Sequence, residues 1–181
     1  MILPGVIASS GAVSAPGSYE SIATSSPSGV NTITLSSIPG TFSHLQIRIL
    51  SNQSSGGSLI VGNFNGDTAA NYTWHELNGQ GSVASQYNGL SQTYARMFGR
   101  NIGTSSSTPT ALIVDIVDYA KTTKYKVVKD LAGMTTGGTG EISITSSMWM
   151  NTAAITSITI KTHDGVNFQS GTKIALYGVK G

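Results

Sequence analysis

Apolar and polar residues alternate with a period of two along most of this chain. In residues 44–50, Leu45, Ile47 and Ile49 share one side of an extended segment, and His44, Gln46 and Arg48 share the other. A strand with one dry and one wet face has this pattern. Residues 19–24 and 32–35 alternate in the same way, and further strands are predicted over 59–64, 72–77, 95–102, 111–117, 124–131, 142–149, 155–162 and 173–179. Turn signals separate them. Asn65-Gly66, between two aromatic-bearing segments, reads as a hairpin turn, and Asp164-Gly165 is of the same kind. Residues 51–57 and 137–140 read as Gly- and Ser-rich loops. Only short helical turns, at 148–154 and 82–94, compete with this picture. Short strands with regular breaks predict an all-β chain, either an antiparallel β-sandwich or a jelly roll.

Two stretches depart from the pattern. Residues 1–17 carry no charge and mix small residues with Gly and Pro, so they are expected to form an extended N-terminal arm ahead of a sandwich domain at 18–181. Ile2, Leu3, Val6 and Ile7 are apolar in what would otherwise be a solvated tail, and are expected to press against a partner. Residues 78–94 read as the longest strand-free stretch, a contact loop carrying Tyr87, Tyr94 and many amide side chains.

Composition sharpens the functional side. The 181 residues fit one domain, and only 10% of them are charged, against about 25% in ordinary soluble domains. Ser, Thr, Gly and Asn replace the charges, giving a neutral surface with little repulsion between copies. That suits a protein packed among neighbours. A net charge of +2 is too small to argue for nucleic acid, and no apolar run is long enough to span a membrane. The apolar start lacks a basic leader region and is interrupted by Pro4 and Gly5, so it does not read as a signal peptide. With no cysteine, disulfides and thiolate metal sites are excluded.

Candidate chemistry is sparse. His75 and Glu76 are adjacent on a predicted strand and so point to opposite faces; no histidine pair has metal-ligand spacing. No metal, cofactor or catalytic residue is therefore expected. Asp115 interrupts an apolar run and lies three residues from Asp118, which on a strand puts the two carboxylates on opposite faces. Pairing of Asp115 with a neighbouring cation, and a turn beginning at Asp118, outweigh a glycosidase-like pair. Lys121, Lys124, Lys126 and Lys129 form a basic cluster that reads as a solvated strand face. Tyr72, Trp74 and Tyr87 could stack against sugar rings or touch a partner, although aromatics at i and i+2 on a strand more often pack a sheet.

A family resemblance comes from an ordered set of motifs: Tyr19-Glu20-Ser21-Ile22-Ala23-Thr24, Leu35-Ser36-Ser37-Ile38-Pro39-Gly40-Thr41-Phe42-Ser43-His44-Leu45-Gln46-Ile47-Arg48, Phe64-Asn65-Gly66-Asp67 with Asn71-Tyr72 and His75-Glu76-Leu77, Asp118-Tyr119 with Lys124-Tyr125-Lys126, and Phe168, Gly171 and Leu176-Tyr177-Gly178-Val179-Lys180. From about residue 19 to the end the chain resembles small tailed-bacteriophage virion structural proteins of the capsid-decoration and tail-appendage type. The resemblance implies a jelly-roll-like domain and a virion location, with assembly in the host cytoplasm and no catalytic residues. The expected function is a capsid decoration or cement protein on the particle exterior. It would bind the major capsid protein or tail proteins and form a homo-oligomer, for instance a trimer. The alternative is a tail-fibre or spike module that binds host glycan.

Overall fold

The computed structural model describes residues 17–54, 58–98, 108–136 and 139–181. The expected arm contacts Ile2, Leu3, Val6 and Ile7 lie outside these. The described residues form an all-β sandwich of two antiparallel sheets with no helix. The large sheet runs in the order β1 (Tyr19–Ser25), β12 (Lys173–Val179), β3 (His44–Ser51), β8 (Thr110–Val117), β9 (Lys126–Thr136), β10 (Thr139–Trp149), β5 (Tyr72–Gln80) and β6 (Val83–Gln92). The small sheet runs β2 (Thr32–Leu35), β11 (Ile158–Thr162), β4 (Ile60–Phe64) and β7 (Ala95–Phe98).

Strand after strand, the chain crosses from one sheet to the other, and only the β5–β6 hairpin and the β8–β9–β10 meander stay within one sheet. The crossings bring the apolar positions of both sheets together. Leu45, Ile47 and Ile49 of β3, Leu112, Val114 and Ile116 of β8, and Ile174 and Leu176 of β12 meet Ile60 and Phe64 of β4 and Ile158 and Ile160 of β11 in one core. On β8 the alternation is complete, with every second residue buried.

Asn65 and Gly66 adopt positive φ, and the Asp67 amide closes the turn on the Phe64 carbonyl. This is the local geometry expected of an Asn-Gly turn. It does not make a hairpin, however, because β4 and β5 belong to different sheets. The turn redirects the chain across the sandwich, and side chains fix its course. Asp67 accepts hydrogen bonds from the Trp149 indole at 2.7 Å, the Asn71 amide at 3.0 Å and the Ala69 backbone at 2.9 Å. Partial burial raises the Asp67 pKa, but these three donors outweigh it and hold the carboxyl below its usual range.

Residues 78–94 are not a loop. Gln80 and Val83 pair across a turn at Gly81, and β6 runs antiparallel to β5 as far as Gln92. As the outer strand of the large sheet, β6 is exposed over most of its length, so no apolar alternation was needed for it to form. Gly89 is the exception. A Cβ there would lie 2.5 Å from the Trp74 indole, so only glycine lets that ring cross the strand.

Candidate functional site

The two halves of the large sheet are built with opposite polarity. Across β12, β3 and β8, apolar residues face the core. Across β9, β10 and β5 the inner face is largely polar: Asp130 on β9, Glu141, Ser143, Thr145 and Ser147 on β10, and Glu76 and Asn78 on β5 are all buried. Register puts Asp130, Thr145 and Glu76 side by side in one row. From the other sheet β7 packs across β9, β10 and β5. It delivers Arg96, whose guanidinium lies 2.5 Å from the Glu76 carboxylate and 4.4 Å above the Trp74 ring. Asn78 donates to Glu141 at 2.6 Å, and Ser147 donates to the Arg96 carbonyl at 2.8 Å. Burial pushes the Asp130 carboxyl up to about 9. The neighbouring Thr145 hydroxyl and the Arg96 charge oppose this, while the Glu76 charge reinforces it. Asp130 is therefore protonated at neutral pH.

The outer face of the same strands is apolar. Register aligns Ile113, Leu131, Ile144 and Leu77 in a row across β8, β9, β10 and β5, ending at Gln86 on β6. Beside it runs a second row of Ala111, Gly133, Ile142, Gly79 and Ala84. Exposure of the large residues ranges from 44% at Ile113 to 60% at Leu77. No charged residue stands in either row between β8 and β6. Leu77, Gly79, Ala84, Ile142 and Ile144 line a hollow of about 210 Å³ on this face. The next row is polar, with Asp115 beside Lys129, then Ser146, His75 and Asn88.

Tyr72 and Trp74, expected as candidate glycan or partner contacts, turn inward. Tyr72 is fully buried, stacks on Trp149, accepts from the Phe64 amide and donates to the Asp67 carbonyl. Trp74 lies between Gly89 and Arg96. Both fall on the covered face of β5, so neither offers a ring to a surface ligand. Tyr87 is half-buried, with its ring 6.0 Å from the Arg96 guanidinium.

Asp115 accepts a hydrogen bond from Gln46, which in turn accepts one from Arg48. Asp118 sits in the predicted turn, closed by the Lys121 amide on its carbonyl, and pairs with Lys124 at 2.6 Å. That hydrogen bond lowers the Asp118 pKa. The expected solvated lysine face is wrong at Lys126. This residue is fully buried, its ammonium donates to the carbonyls of Lys121, Lys124 and Thr152, and burial pushes its pKa down. Here the ammonium closes the loop between β8 and β9. Among the described residues, no three acidic or histidine side chains come together as a metal site.

No protein-family model matches this chain, and neither curated proteins nor solved structures yield a match.

Proposed function

We propose that this chain is a structural component of a bacteriophage particle, a capsid decoration or cement protein that binds neighbouring virion proteins. The observation that carries the binding half is the apolar outer face of β8, β9, β10 and β5. A broad, charge-free band on a sheet face is the kind of surface that marks protein–protein contact. The sparse charge of the whole chain favours the same reading.

The particle half rests on the family resemblance. Its motifs fall at joints of the sandwich: Phe42 packs over Gly178, Asp67 binds Trp149, and Tyr119 donates to the Pro39 carbonyl. Shared motifs at such places speak for a shared fold. The strand order supports a jelly-roll reading too, since the chain returns to the large sheet between its visits to β2, β4, β7 and β11. The alternative reading, a tail module holding host glycan, loses two of its three rings, because Tyr72 and Trp74 are buried.

Imaging purified particles that carry the labelled chain tests the proposal. Signal spread over the capsid is expected. Signal confined to the tail would transfer the chain to the receptor-binding alternative, and particles without signal would sink the virion reading.

A further inference from the structure

We infer that the outer face of β8, β9, β10 and β5 is the contact surface for a second copy of this chain, packed face to face about a two-fold axis. The inference deepens the assembly reading above by naming one surface and its occupant, and it rests on that reading only for its biological purpose.

Area is the first argument. Leu50, Leu77, Ile113, Leu131, Ile142 and Ile144 are 39–60% exposed. Together they show roughly 600 Å² to solvent, the upper end for the largest patch of a monomer. A stable complex removes about 800 Å² from each partner. Ala84, Lys129 and Ser146 border the patch and extend it towards that figure.

Shape is the second. A two-fold contact is self-complementary, so one surface must supply both projections and recesses. Leu131, Ile144 and Leu77 project in one row, while in the row beside it Gly133 and Gly79 leave recesses on either side of the projecting Ile142, with the hollow of about 210 Å³ between β10, β5 and β6. Sheets stack about 10 Å apart with their side chains interdigitated, and a branched side chain from one copy suits the recess of the other.

Charge is the third. Asp115 and Lys129 stand opposite each other in the row bordering the patch. A two-fold axis can set the Lys129 of each copy near the Asp115 of its mate, whereas a border of one sign would repel its own image. The buried row behind the patch adds stiffness. Glu76, Arg96, Asn78 and Glu141 are hydrogen-bonded or ion-paired beneath β5 and β10, and hold those strands in one register.

Sedimentation equilibrium on the purified full chain tests this. The expected mass is twice 18.7 kDa, falling to one chain in Ile144→Lys with its circular dichroism unchanged. Val30→Lys, at an exposed apolar position outside the large sheet, should leave the dimer intact. A single-chain or three-chain mass for the natural sequence overturns the inference, as does a dimer that survives Ile144→Lys. Should Ile144→Lys misfold, a nitroxide on Ser146→Cys decides, because the chain has no other cysteine. A defined inter-spin distance supports the contact, and no dipolar coupling overturns it. A dimer that forms in solution while the chain is absent from particles would sink the virion reading and leave this contact standing.

Discussion

Two halves of one sheet solve the burial problem in opposite ways. In β3, β8 and β12 the core-facing set is apolar, and the outer set mixes polar residues such as Arg48, Asp115 and Lys173 with Leu50, Ile113 and Val117. In β9, β10 and β5 the alternation is as regular, yet aliphatic residues such as Ile142, Ile144, Leu131 and Leu77 point out and carboxylates, hydroxyls and amides point in. An isolated domain gains nothing from that inversion, since burying a charge costs free energy unless it is paired, and exposed aliphatic area forgoes about 25 cal/mol per Å². The inverted half gives the proposed second copy a surface to cover, mounted on a polar interior that fixes its shape.

The largest effect is expected where the inverted half is opened from inside. Glu76→Ala leaves the Arg96 guanidinium buried without its carboxylate, and should cost about 3–5 kcal/mol in urea unfolding. A loss below about 1 kcal/mol would show that water already reaches the pair. The conventional half is tested by Ile47→Ala at a fully buried position, expected to cost about 2–5 kcal/mol.

A pH-dependent effect of intermediate size is expected at Asp130. Its carboxyl titrates near 9 in the folded chain and near 4 when unfolded. Between those values the native state keeps a proton that the unfolded state releases, so this residue makes stability fall as pH rises, at up to about 1.4 kcal/mol per pH unit. Asp130→Asn removes that slope. The variant should therefore gain on the natural protein from pH 4 to pH 9, by a few kcal/mol at neutrality as an order of magnitude. Unfolding curves at pH 5 and pH 8 check this, and a gap that does not widen would mean that Asp130 is ionised in the fold. The smallest effect should come from Ile144→Ala. Its side chain is 56% exposed in the single chain, so urea unfolding at a concentration dilute enough to keep the chain monomeric should move by no more than about 0.5 kcal/mol, against the several expected for Ile47→Ala.

Much of the fold was legible. Predicted strands at 44–50, 111–117, 142–149 and 173–179 correspond to β3, β8, β10 and β12, because each carries apolar residues at every second position or in a short apolar run. β6 was missed because an edge strand wetted on both faces needs no apolar pattern. Asn65-Gly66 was identified as a turn, but whether a turn joins neighbours in one sheet or carries the chain to the other depends on partners far away in sequence. Of the candidate site, only Tyr87 keeps a partly open position; Tyr72 and Trp74 were misplaced because a period of two does not say which face is covered.

That ambiguity divides what the sequence determined from what the tertiary structure decided. Sequence alone determined an all-β chain, most of the strand positions though not β6, two sets of side chains on each strand found, and a surface poor in charge. Reading Glu141-Ile142-Ser143-Ile144-Thr145 in isolation would put the isoleucines inside. Which set is buried was decided by β7, which lays Arg96 over the polar set and pairs with Glu76. The physical reason is that alternation is symmetric between the two faces of a strand. Only a second layer, brought from elsewhere in the chain, makes one of them the inside.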